Sequence, residues 1–167
     1  MSLTIARSVY AKMLAAAQTA APLEACGLLA GQDDQVTQCY VLTNVDASAE
    51  HFSMKPEEQF AAIKQMRATG LRMLGIWHSH PASPARMSEE DLRLAYTPDA
   101  VYVILSLLDP TQPQIRAFVV PDNIAQEVPL ELVAALPAAA PYLQTMRPGR
   151  AGPPDPPIPD TTERTHS

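Results

Sequence analysis

Apolar and polar positions alternate along this chain in short blocks, each closed by Gly, Pro or a polar cluster, and the blocks predict an alternation of strands and helices. Residues 3–5 open as a short strand. A helix follows from a cap at Ser8 to about Ala20, with Val9, Met13, Ala16, Ala17 and Ala20 on one side, and Pro22 stops it. Residues 25–30 are continuously apolar and end at Gly31, as a buried strand does. A polar turn and residues 36–42 complete a hairpin. Residues 44–52 are irregular. Pro56 suits the first turn of a second helix and Gly70 its end, with Phe60, Ile63 and Met66 as the apolar stripe.

A third apolar run, residues 74–77, leads into His78-Ser79-His80-Pro81. A loop to Met87 and a short helix from Ser88 to about Thr97 come next. Residues 101–108 are almost uninterrupted apolar sequence and are expected in the centre of a sheet. Residues 115–120 form another strand, and residues 128–136 read as a terminal helix. From Pro137 the pattern breaks: eight of the 17 prolines lie there, and too few apolar residues remain to offset the entropy of ordering. The expected organisation is one domain over residues 1–136, followed by a Pro-rich tail over 137–167 that is largely disordered and without a catalytic role.

Composition narrows the class of function. A chain of 167 residues with 47% hydrophobic residues can bury a real core. The net charge is -6 and Lys and Arg are not clustered, which argues against nucleic acid as a partner. No run of 18 apolar residues predicts a membrane span. The Ala-rich start is interrupted by Lys12, Gln18 and Thr19, unlike the apolar core of a signal peptide, so a cytoplasmic location is expected. The two cysteines, Cys26 and Cys39, make no disulfide framework, and Cys26 lies in an apolar run where a thiol is an inert core residue.

The chemistry concentrates around His78 and His80. In a strand, residues two apart share a face, with Cα atoms about 6.6 Å apart, so both imidazoles can converge on one ion. Ten residues separate His80 from Asp91, and the helix from Ser88 can carry that carboxylate back over the strand end. Two His and one carboxylate leave a fourth position for water, as catalytic rather than structural zinc sites do. Ser88-x-x-Asp91 is equally a capping box, in which the N3 side chain bonds back to the N-cap. Glu24 shares a strand face with Cys26 and Leu28. It is either exposed at the strand tip or held there as an acid/base beside the metal. His51 has no partner at ligand spacing, and His166 lies in the tail. The helix-borne H-E-x-x-H pattern is absent, and so is the P-C-x-x-C of nucleobase deaminases.

Taken together, Glu24, His78-Ser79-His80-Pro81 and Ser88-x-x-Asp91 resemble the signature of the JAMM (MPN+) metallopeptidases, in their compact bacterial branch. Similar context extends from about Ile5 to Val120, including residues 24–31 and 52–56. The resemblance implies an α/β fold: a single MPN-type domain with a curved mixed β-sheet flanked by helices, in a cytidine-deaminase-like layout. It implies zinc held by His78, His80 and Asp91, Glu24 as general acid/base, and Ser88 on the oxyanion. The implied substrate is a peptide or isopeptide bond after the C-terminal Gly-Gly of a ubiquitin-like sulfur-carrier protein, with an E1-like adenylating enzyme in the same pathway. The competing expectation is a catalytically silent scaffold of the same fold that binds partners. The loops here are too short to hold the long insertions with which eukaryotic members grip ubiquitin.

Overall fold

A computed structural model describes residues 1–137; the expected Pro-rich tail falls almost wholly outside them. The elements are β1 (Leu3–Ala6), α1 (Arg7–Ala20), β2 (Cys26–Gln32), β3 (Gln35–Leu42), α2 (Pro56–Ala68), β4 (Arg72–His80), α3 (Glu89–Leu94), β5 (Val101–Ser106), β6 (Gln114–Val119), β7 (Gln126–Val128) and β8 (Leu130–Val133). The strands make one mixed sheet in the order β7-β6-β5-β4-β2-β3-β1-β8. The β4–β5, β1–β3 and β1–β8 pairs are parallel, and the others antiparallel. Among the described residues no helix is long and apolar enough to cross a membrane.

The centre is the antiparallel β2–β4 pair, in which Cys26 faces His78, Gly27 faces Trp77 and Leu28 faces Ile76. Gly27 is required there, because a Cβ would lie 1.8 Å from the Tyr40 carbonyl oxygen of β3. The pleat sends alternate residues to opposite sides. One side carries Leu29, Trp77 and Val103 and packs with Ile5, Val9 and Met13, the last two from α1. The other carries Leu28, Ile76 and Tyr102 and packs under Ala62 and Met66 of α2. Cys26 and Cys39 are both free and buried. Their partners in the β2–β3 register put them on opposite faces, so they cannot pair.

Several expectations are corrected. Residues 128–136 do not form a helix. Leu130, Leu132 and the intervening Glu131 alternate with period two, and the segment is a strand pairing parallel with β1. Pro129 separates it from β7 and itself accepts a hydrogen bond from the Leu3 amide. Helix α1 starts at Arg7 without a side-chain cap, because β1 runs directly into it, and Ser8 caps nothing. Phe60 is 72% exposed; at 3.6 residues per turn it lies about 120° round the helix from Met66, off the buried face. Helix α3 stops at Leu94 rather than Thr97. Strand β5 is fully buried but sits beside the central pair, not within it.

Candidate metal centre

Helix α2 covers only part of its face of the sheet. Beyond Ile76 the same face of β4 continues with His78 and His80, and the helix gives way to loops and α3. The two imidazoles are 1% and 4% exposed, with Nε2 atoms 3.0 Å apart. Asp91 Oδ1 lies 3.1 Å from His78 Nε2, and Oδ2 lies 3.4 Å from His80 Nε2. A tetrahedral ion with bonds of about 2.0–2.1 Å sets its ligand atoms about 3.3 Å apart. The three separations, which reach Asp91 at two different oxygens, are of that order, so the donor set fits a small divalent cation in its chemistry and approximate spacing.

Asp91 owes its place to α3. Its amide donates to Ser88 Oγ at 3.0 Å, and its Oδ2 accepts from the Ser88 amide at 2.8 Å. The capping box and the approach to the histidines therefore coexist in one carboxylate, since Oδ1 remains turned to His78. Burial alone would raise the Asp91 pKa. Hydrogen bonds from His78 and His80, with the Ser88 amide, overcome it and hold the carboxyl well below its usual range. Ser88 Oγ accepts from a backbone amide, which leaves its own proton available to another acceptor.

Glu24 precedes β2 on the face shared by Cys26 and Leu28. Extending the β2–β4 register by two residues sets it beside His80. One of its oxygens and one nitrogen of each histidine all lie within 4.8 Å of one another. Its backbone is held on several sides. Its amide donates to the Ser48 carbonyl at 2.8 Å. The following residue, Ala25, donates its amide to Ser79 Oγ at 2.8 Å and accepts the Ser79 amide at 2.9 Å. The middle residue of the H-S-H triplet thus pins the strand carrying Glu24 to the strand carrying the histidines. Glu24 is 3% exposed, and its Oε2 has no hydrogen-bond partner among the described residues. Burial is the main reason its pKa is raised to about 8, followed by an opposing pull from His80 and a push from Asp91. A carboxyl left buried without a partner is costly unless something else is meant to face it.

The histidines are tuned apart. Burial lowers the His78 pKa, more than Asp91 raises it, and keeps the ring neutral. Burial also opposes the charged form of His80. Its hydrogen bonds to Asp91 and to the Pro84 carbonyl, 2.8 Å from Nδ1, outweigh that and raise its pKa.

Two neighbours have places that the sequence pattern does not assign. Phe52 stacks on His78, with ring centroids 4.7 Å apart and planes 26° apart. His51 lies with Phe52, Glu90, Asp91, Leu94 and Tyr102 around a small pocket of about 30 Å³ beside His78. It pairs with Asp46 at 3.0 Å and is not a ligand in this arrangement. Cys26, whose thiol burial pushes up to about 12, is no nucleophile at neutral pH.

The chain is similar to known proteins. The family model for prokaryotic homologs of the JAB domain matches residues 6–120. The CysO-cysteine peptidase of Mycobacterium tuberculosis is 32% identical over 133 residues, spanning 78% of this chain and 91% of that protein. A probable TtuB-protein conjugate cleaving protease of Thermus thermophilus is 35% identical over 111 residues, 66% of this chain and 69% of that one. Among solved structures, a protein from Desulfitobacterium hafniense is 45% identical, with a TM-score of 0.76, over 81% of this chain and 95% of that one. A JAB1/MPN domain protein from Archaeoglobus fulgidus is 26% identical, with a TM-score of 0.53, over 79% and 98%. The chain belongs to the prokaryotic JAB-domain family and is a hydrolase of the JAMM/MPN+ peptidases.

Proposed function

We propose that this protein is a zinc-dependent peptidase that hydrolyses the bond after the C-terminal Gly-Gly of a ubiquitin-like, sulfur-carrier-type protein. His78, His80 and Asp91 hold the ion; Glu24 is the general acid/base and Ser88 the oxyanion donor. The observation that carries the reading is Glu24: a buried carboxyl with an unpartnered oxygen, set among the same donors that converge for a cation. When bound, zinc supplies Lewis acidity to the scissile carbonyl and acidifies the attacking water. Glu24 takes that water's proton on a carboxylate oxygen and delivers it to the leaving nitrogen. Its pKa, raised by burial and lowered again by a neighbouring cation, comes near the working range for such a shuttle. The Ser88 hydroxyl donates to the oxygen that becomes negative as the carbonyl is attacked.

Substrate choice follows from burial. The donors are 1–9% exposed, so the scissile bond must reach them through a narrow approach. A Gly-Gly tail has no side chains to obstruct it and can lie extended, held by main-chain hydrogen bonds. The names of the relatives support a conjugate as substrate: one is a CysO-cysteine peptidase, another a probable TtuB-protein conjugate cleaving protease.

The test combines elemental analysis with cleavage of carrier fusions. One zinc per chain is expected, lost in His78→Ala and in Asp91→Ala together with all activity above background. Stoichiometric zinc in both variants overturns the ligand assignment. Equal cleavage of tails in which bulky residues replace the glycines overturns the substrate reading alone.

A further inference from the structure

The two histidines are oriented by different means. His80 follows the usual rule for metal-binding imidazoles: its second nitrogen, Nδ1, lies 2.8 Å from the Pro84 carbonyl and donates to it, fixing ring plane and tautomer. His78 has no such support. Its Nδ1 is buried and has no hydrogen-bond partner among the described residues. Rotation about the bond to an imidazole ring is broad and roughly twofold, so a ring without a second hydrogen bond needs another constraint. Beside the Nε2 contact with Asp91 and the tilted His80 ring, the constraint present is the Phe52 ring, stacked at 4.7 Å and 26°.

The backbone that carries that ring is held on both sides. Asn44 Nδ2 donates to the His51 carbonyl at 3.1 Å, and Asn44 Oδ1 accepts the Ser53 amide at 3.0 Å, so one side chain grips the backbone on both sides of Phe52. The same Nδ2 donates to the Glu24 carbonyl at 3.2 Å. Residues 44 and 54 bridge as in an antiparallel pair, and the Val45 amide donates to the Ser53 carbonyl at 2.9 Å.

We propose that Phe52 is a positioning residue: its ring face fixes the plane in which His78 presents Nε2 to the centre. The stack sets orientation and leaves the Nδ1 hydrogen bond unmade. The inference rests on the reading of His78 as a ligand, and it gives the irregular segment between β3 and α2 a share in the metal centre.

The experiment measures zinc affinity by chelator competition, with kcat and KM on a Gly-Gly fusion, for wild type, Phe52→Leu, Phe52→Tyr and His78→Ala. Phe52→Leu keeps apolar packing and removes the flat face. It is expected to weaken zinc binding about 10–100-fold, the usual cost of losing a group that orients a ligand, and to lower kcat with KM little changed. Phe52→Tyr keeps the face and is expected to bind zinc as wild type does. Wild-type affinity in Phe52→Leu overturns the proposal, as does equal loss in both Phe52 variants, which indicates packing rather than the ring face. Full zinc in His78→Ala removes the ligand reading itself. An independent readout needs no variant: in metal-free wild type the ring-carbon protons of His78 are expected upfield, shifted by the Phe52 face. Unshifted protons overturn the stack.

Discussion

The two faces of β4 are built from adjacent residues and obey opposite rules. On one face Trp77 is fully buried in an apolar cluster with Leu29, Val103 and the α1 residues Val9 and Met13. Its indole Nε1 has no hydrogen-bond partner among the described residues, but that group does not titrate near neutral pH. On the other face, Ile76 begins a comparable core under α2, but two residues on the side chain is His78, and two further it is His80. There burial is as complete and its consequences are reversed: Glu24 keeps an unpartnered oxygen and His78 an unpartnered nitrogen, both on groups that can carry charge. Burying apolar surface stabilises; burying these groups costs free energy and shifts their pKa values. Substitutions on the two faces should therefore separate cleanly into effects on stability and effects on chemistry.

The sharpest test pairs Glu24→Gln with Leu29→Ala. The first keeps the shape of the side chain and removes the proton acceptor. Its kcat is expected to fall about 10²–10⁴-fold, with zinc retained and the fold intact. Leu29 is fully buried on the apolar face, and truncating it leaves a cavity costing about 2–5 kcal/mol. Folded Leu29→Ala should keep wild-type kcat and zinc at low temperature while losing stability to denaturant. If Leu29→Ala lowers kcat as much as Glu24→Gln does, the two faces are not independent.

The unequal legibility of the two faces has a physical cause. The residues that converge at the centre stand out because their relations are local: two histidines two apart on a strand, and Ser and Asp three apart at a helix start. Glu24 is different: the ladder that sets it beside His80 joins strands about 50 residues apart, so the residues alone leave its place open between strand tip and site, and only the resemblance assigns it. Leu130–Val133 reads as helix in the sequence because what makes it a strand is β1, over 120 residues away, and its own run of apolar residues fits either period. Phe60 reads as buried because an aromatic at helical spacing ordinarily is. Asn44 gives no signal and Phe52 only that of lying in the resembling stretch 52–56, because their positions over the centre depend on how a loop without periodicity folds back.

A smaller effect is expected at Ser88, which serves both the helix and the site. Ser88→Ala removes the proposed oxyanion donor, a loss of about 10²–10³ in kcat, and also the α3 N-cap, worth about 1 kcal/mol. Ser88→Asp retains an N-cap acceptor for the Asp91 amide but has no hydroxyl proton to give. Restored stability without restored kcat is the expected result, read by thermal melts beside turnover. If the aspartate restores both, Ser88 acts only by holding Asp91 in place.

The smallest effect tests the cost of the polar face directly, in chelator-treated protein. Glu24 has a pKa raised from 4.5 to about 8 in the fold, chiefly by burial. Between those values the folded chain keeps a proton that the unfolded chain has lost. Stability from this group is therefore complete below about pH 4.5 and drains away as pH rises through about 8. The amide that Glu24→Gln introduces cannot titrate, and the other shifted groups at the site, His78, His80 and Asp91, are present in both proteins, so the difference between variant and wild type reports Glu24 together with its coupling to His80. Glu24→Gln is expected to melt near wild type at pH 5 and on the order of 5–10 °C above it at pH 8.5. The substitution that destroys turnover would then stabilise the metal-free fold, and only where the carboxylate is charged. A difference independent of pH would mean that Glu24 is solvated, and the contrast between the two faces of β4 would lose its energetic basis.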